Sequence, residues 1–158
     1  MKIIMMADSH DNLPQLHKAV EWCNNEKVDH VLHAGDLVSP FVNKALKNLN
    51  MPMTIVFGNN DGERKGLSST FKDRIFTPPH IVNLDNRKIA MLHEPDPMED
   101  LQKNERVDLI LYGHLHEIDI RKGTPHIVSP GELGGWLTER STMAVWDTES
   151  DAISIIEL

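Results

Sequence analysis

Cysteine occurs once in the 158 residues, at Cys23, so the chain can build neither an internal disulfide framework nor a thiolate-based zinc cage. Basic charge is in deficit: 16 Lys and Arg are dispersed among 24 Asp and Glu, for a formal net charge of -8. A duplex binder would carry a basic face that releases counterions from the phosphates, so long nucleic acid is not an expected partner. A small phosphate ester stays open, because a local cationic centre outweighs a distant acidic surface. Two divalent cations would bring the formal charge to about -4. Long apolar runs are also missing. The N-terminal run over residues 2–7 meets Asp8 at once and lacks the length and flanks of a signal peptide or membrane span. The expectation is a cytoplasmic protein without a membrane partner. No internal repeat, low-complexity tract or linker divides the chain, and its length suits one domain over residues 1–158.

What the chain does have is a repeated pattern. Five apolar runs each end in a residue able to bind a metal or handle a phosphate: 2–7 into Asp8 and His10, 31–35 into Asp36, 53–58 into Asn59, 88–92 into His93, and 109–113 into His114 and His116. In an open α/β sheet, side chains beyond the carboxyl ends of strands converge on one crevice, so ligands scattered in sequence can meet. Between the first runs, Asn12 precedes a helical spacing of Leu13, Leu16, Ala19, Val20 and Cys23, which makes Cys23 a small buried hydrophobe. Ser39 and Pro40 start a second helix with Val42, Ala45, Leu46 and Leu49 on one face. The resulting β-α-β-α-β unit favours parallel strands with right-handed crossovers. Beyond it the pattern predicts a weak helix over 62–71, a hairpin of 81–84 and 88–92 about a turn at 85–87, and a short helix over 95–104. A buried strand over 108–112 and strands at 118–121, 126–128, 143–147 and 152–156 follow. The architecture this implies is two packed β-sheets with helices outside.

The candidate ligands are four imidazoles (His10, His93, His114, His116), two carboxylates (Asp8, Asp36) and one amide (Asn59). Asp36 follows Gly35, where the chain can bend tightly and present a carboxylate whose two oxygens can bridge two cations. Seven ligands with one bridge give eight contacts, four for each of two metals. Mixed nitrogen and oxygen ligation without thiolate suits Mn, Fe, Ni, Co or Zn better than Ca or Mg. Two such ions roughly 3.5–4 Å apart can hold a bridging hydroxide and clamp a phosphoryl oxygen.

The ordered motifs Asp8-Ser9-His10, Gly35-Asp36, Gly58-Asn59-Asn60-Asp61, His93 and Gly113-His114-Leu115-His116 resemble those of the calcineurin-like metallophosphoesterases, in particular the small bacterial and archaeal phosphodiesterases without a cap domain. The resemblance implies a four-layer α/β/β/α sandwich with two packed mixed sheets, two divalent transition-metal ions, and a metal-bound hydroxide attacking phosphorus in a small or activated phosphate diester. It further implies that Asp8, His10, Asp36 and His116 hold one metal and Asp36, Asn59, His93 and His114 the other. Asp36, Asn59 and His93 would position the hydroxide, with Asn60 and Asp61 as further candidates. Many phosphatases of the superfamily have His where this chain has Asn60, and a neutral amide cannot donate a proton to a leaving alkoxide as imidazolium can. Esters with good leaving groups are therefore the expected substrates. Ser129-Pro130-Gly131-Glu132 departs from an Asn-Pro-Gly-Ser pattern common in the same branch.

Two alternatives stand beside this reading: a phosphomonoesterase or nucleotide phosphatase, and a non-catalytic scaffold, since the fold resembles that of a retromer subunit. Several other residues have plainer readings. His33 is structural or supports a ligand from behind; His17, His30, His80 and His126 are not ligands. Asp61 either orients a neighbour or caps a turn. Arg64, Lys65 and Arg140 are solvated loop cations, and Met5, Met6, Met51, Met53 and Met91 fill the core. The sequence assigns no oligomeric state.

Overall fold

The computed structural model describes residues 1–104 and 106–158. Strands β1 (Lys2–Met6), β2 (His30–His33) and β3 (Met53–Val56) are parallel neighbours, and β4 (Ile75–Phe76) extends them on one side. On the other side β10 (Thr142–Asp147) runs antiparallel to β1 and carries β11 (Ala152–Glu157), so the first sheet has the order β11-β10-β1-β2-β3-β4. The second sheet has the order β5-β6-β7-β9-β8, from β5 (His80–Leu84), β6 (Arg87–Met91), β7 (Leu109–Leu111), β8 (Ile118–Arg121) and β9 (His126–Pro130). Its three central strands β6, β7 and β9 are parallel and its edges antiparallel, so both sheets are mixed.

Alternation along the strands builds the layers. Ile3 and Met5 of β1 join Leu32, Val56, Ile89, Met91, Leu109, Leu111, Val128 and Trp146 in a core between the sheets. Ile4 and Met6 face the other way, onto Leu16, Val20 and Cys23 of α1 (Leu13–Asn25), Ala45 and Leu46 of α2 (Asn43–Leu46), and Leu67 and Phe71 of α3 (Arg64–Phe71). The outer face of the second sheet buries Ala90, Ile110 and Ile127 against Met98 of α4 (Met98–Asn104). Each fully buried aliphatic side chain contributes about 1.5–3 kcal/mol. The four-layer α/β/β/α expectation holds. The methionines fill the core, with Met51 only partly buried, and Cys23 is buried.

Apart from shifts of one to three residues at element ends, as where α4 starts at Met98 and β9 runs on to Pro130, the elements differ chiefly in two places. The second helix does not run from Ser39 to Leu49: a 3₁₀ turn at Pro40–Val42, capped by the Ser39 side chain, leads into the single turn of α2. Its buried face, Val42, Ala45 and Leu46, is only that long. The two-residue strand β4 was not anticipated, because two residues carry no period.

The topology puts one edge to use. Parallel strands of both sheets end on the same side, so Asp8 and His10 follow β1, Asp36 follows β2, Asn59 follows β3, His93 follows β6, and His114 and His116 follow β7.

Candidate metal centre

Five of the seven candidate ligands hold left-handed backbone: Asp8 (φ 53°), His10 (42°), Asp36 (59°), His114 (72°) and His116 (59°). Such conformations are uncommon outside glycine, with Asp, Asn and His the most tolerant side chains, and each costs of order 1–3 kcal/mol. The surroundings enforce them. Asp8 N donates to Gly35 O at 3.1 Å, His10 N to Asp36 O at 3.0 Å, and Gly113 N to His93 O at 3.0 Å. Gly35 itself has φ 96° and lies so close to Gly58 and His93 that a Cβ would meet Gly58 N and His93 Nδ1, both at 2.8 Å.

The seven side chains converge. Asp8, His10 and His116 bring possible ligand atoms within 4.8 Å of one another, and so do Asp8, Asp36 and His93. His10 Nε2 lies 3.5 Å from Asp36 Oδ2 and 3.9 Å from Asp8 Oδ1; His93 Nε2 lies 3.4 Å from Asp36 Oδ2; His116 Nε2 lies 3.8 Å from Asp8 Oδ1. Asn59 Oδ1 sits 2.7 Å from His93 Nε2 and 3.0 Å from His114 Nδ1. Asp8 belongs to both groups, and Asp36 of the second lies beside His10 of the first.

The arrangement fits divalent cations on its own chemistry. Asp8 and Asp36 are both buried, at 0% and 1% exposure. Burial pushes the Asp8 carboxyl up to about 6, against the pull of His93 and His116. Asp36 is also penalised by burial, yet its pKa falls well below the usual carboxylate range because His93 and two Asn60 donors stabilise the anion. Burial lowers the His10 pKa, and His10 Nε2 is buried without a hydrogen-bond partner. Burial disfavours charged His93, but Asp36 and the carbonyl of Ala34 outweigh it and raise its pKa. Paired buried carboxylates, an unpartnered ring nitrogen and an imidazole pressed toward its charged form are what a polycationic occupant would relieve.

The flanking residues resolve into distinct roles. Asn60 sends N to Asp36 Oδ1 at 2.8 Å and Nδ2 to Asp36 Oδ2 at 2.7 Å, so its side-chain amide is turned toward the Asp36 carboxylate. Asp61 does both things envisaged for it: it accepts from Gly58 N at 2.7 Å, closing the turn, and from Asp36 N and Val38 N at 3.2 and 2.7 Å. Buried His33 lies 3.1 Å from Ser9 Oγ and burial drives its pKa down to about 3. His30, His80 and His126 contact Thr54, Phe76 and Asp151 respectively, and His17 is exposed. Arg140 pairs with Glu157 at 2.8 Å and Lys65 is exposed. Arg64 is not merely solvated: it lies over the Phe57 ring and lines a cavity of about 230 Å³ with Asn59, His93, Pro79 and Glu94.

Sequence reasoning passed over Glu132. The residue is wholly buried, and its Oε2 lies 2.8 Å from His116 Nδ1. Burial opposes its ionisation, but Thr138, His116 and Leu137 outweigh that and hold its pKa below the ordinary value. A signal was available: Gly131-Glu132 follows β9 as Gly35-Asp36 follows β2, a glycine and a carboxylate just past the carboxyl end of a strand in each sheet. Nearby, Trp136 Nε1 donates to His10 O at 3.1 Å.

Fold and donor set together suit a metal-dependent hydrolase, and comparison with known proteins agrees on the class. A calcineurin-like phosphoesterase superfamily domain matches residues 1–151. A phosphodiesterase of Methanocaldococcus jannaschii is 38% identical over 156 residues, 94% of each chain. The structure of an archaeal phosphodiesterase is similar at TM-score 0.92 and 37% identity over 100% of both chains. Vps29 of Entamoeba histolytica shares the fold at TM-score 0.72 and 15% identity, over 100% of this chain and 99% of its own. The chain belongs to the calcineurin-like phosphoesterase superfamily, and its reaction class is phosphoester hydrolysis.

Proposed function

We propose that the chain is a dinuclear metal-dependent phosphodiesterase acting on small or activated phosphate diesters, as one domain working in the cytoplasm. Asp8, His10, Asp36 and His116 would hold one divalent cation, and Asp36, Asn59, His93 and His114 the second, with Mn, Ni, Fe, Co or Zn suiting the donor set. Bound there, the pair would supply Lewis acidity toward the phosphoryl oxygens and acidify a water. The observation that carries this reading is the convergence of two Asp/His clusters on the buried Asp8–Asp36 pair.

The chain's own residues do the rest. Asn60 and Asp61 fix the Asp36 carboxylate and backbone, which sets the centre's geometry. Ala34 O accepts from His93 Nδ1 at 2.8 Å and turns Nε2 inward. The cavity beside Asn59 and His93, walled by Phe57, Pro78, Pro79 and Pro97, has a volume of about 230 Å³, which suits a small ester arm. Retention of all seven donors favours hydrolysis over a scaffold role.

Metal-stripped protein supplied separately with Mn, Ni, Co, Zn or Mg, then assayed on nitrophenyl diester and monoester, tests the proposal. Diester-selective turnover restored by a transition metal is the expected result. No turnover with both positions loaded would sink the enzymatic reading. With Asn60 committed to Asp36, rates should also rise steeply as the leaving-group pKa falls; a flat series would remove that part of the reading.

A further inference from the structure

Glu132 faces two ways. Its Oε1 accepts from Leu137 N at 2.9 Å, Thr138 N at 2.5 Å and Thr138 Oγ1 at 2.7 Å, while Oε2 meets His116 Nδ1 at 2.8 Å. An ionised carboxylate offers only acceptors. In a neutral His116 ring the proton therefore sits on Nδ1, and the lone pair on Nε2, the atom that lies on the Asp8 side of the ring. His10 stacks alongside with ring centroids 5.1 Å apart.

We propose that Glu132 is the positioning residue of the first metal position: it selects the His116 tautomer that presents Nε2 to a cation, through the same carboxylate that fastens the loop over residues 133–138. The inference rests on the reading of His116 as a metal ligand. Partners of this kind fix ring orientation and tautomer, and their loss weakens metal binding roughly 10- to 100-fold.

Glutamine at this position makes the idea sharp, because it has one acceptor oxygen for two neighbourhoods. The loop presents three donors to one oxygen, two of them backbone N–H groups that cannot turn away. Turning the amide nitrogen toward them would set donor against donor twice. The glutamine oxygen therefore stays with the loop, and its NH₂ group faces His116 Nδ1. That donor selects the opposite tautomer, with the proton on Nε2 and no lone pair for the metal. Glu132→Gln should thus leave the loop in place and disable the ligand.

The first reading is the wild-type, metal-free protein at a pH where the His116 ring is neutral: long-range ¹H–¹⁵N NMR should show the proton on Nδ1, and a neutral ring with its proton on Nε2 would overturn the proposal with no variant needed. In Glu132→Gln the two nitrogen signatures should exchange, and calorimetric titration with manganese(II) alone should show the first position weakened about 10- to 100-fold with the second unchanged. A variant that keeps the wild-type tautomer and wild-type affinity would also overturn it. If the wild type binds neither manganese nor, in parallel titrations, nickel, cobalt or zinc, the metalloenzyme reading fails separately, while the tautomer measurement still decides the role of Glu132.

Discussion

The loops after β1, β2 and β3 and those after β6, β7 and β9 meet at one centre, but they secure their donors by different means. The first set supplies the oxygen donors, Asp8, Asp36 and Asn59, and fixes them largely through the backbone: Asp8 N to Gly35 O, His10 N to Asp36 O, and the Asp61 carboxylate gathering the N–H groups of Asp36, Val38 and Gly58. The second set supplies three of the four imidazoles, and two of these are fixed through the ring, His93 by the carbonyl of Ala34 and His116 by Glu132. A carboxylate offers lone pairs on both oxygens and has no tautomer to choose, so its neighbours need only place it, as Asn60 places Asp36. An imidazole ligates through one nitrogen only when the proton is on the other, so its partner must choose the tautomer as well as the angle.

Four substitutions probe that contrast. Asp36→Asn strikes where the two sets meet; both metal positions should weaken and diester hydrolysis should fall by more than the roughly 100-fold that loss of an outer contact costs. Wild-type metal content and rate would remove Asp36 from the bridging role. Gly58→Ala tests the backbone-held side, since a Cβ there would collide with Asp36 N and its carboxylate. Overpacking of this kind costs about 1–3 kcal/mol, a fall in Tm of about 2–10 °C at this chain length, with metal content reduced at both positions. An unshifted melting curve would show that the Asp36 loop yields easily.

His33→Gln concerns the packing behind the oxygen donors. His33 has its folded-state pKa depressed to about 3 by burial, so the unfolded chain binds a proton more readily. Its contribution is complete above its unfolded pKa of about 6.5 and is lost as pH falls from there toward 3, by up to about 1.4 kcal/mol per unit. Urea midpoints of the metal-free proteins at pH 7 and pH 4.5 should therefore converge in the variant relative to the wild type. Parallel acid dependence would assign the loss to other groups. Arg140→Ala lies beside the second set, but its partner is the exposed Glu157. Neither Tm nor turnover should change measurably; a loss of turnover would place its charge on the substrate.

Much of this molecule could be read before its structure was known. Period-two strands, the spacing of α1 and the punctuation by Gly, Pro and Asn fixed the order of elements, because those signals are local. The donors were readable for the same reason: each follows an apolar run, and parallel topology does the gathering. What escaped were facts of long-range pairing. β4 is two residues recognisable only beside β3. Asn60 looked like a substitute for a catalytic histidine until Asp36, 24 residues away, turned out to accept from both its backbone and its side-chain nitrogen. Glu132 read as a departure from a familiar pattern, and only the fold brings it against His116.

Trp136 gives the protein an optical probe of its own chemistry. Its indole is 62% exposed and its N–H is tied to the carbonyl of His10, whereas Trp146 is sealed between the sheets and Trp22 lies on α1. Emission from the solvent-facing indole, at the red edge of the spectrum, reports on the His10 backbone. If His10 holds a cation as proposed, loading should change that emission, with no label, substrate or substituted residue needed.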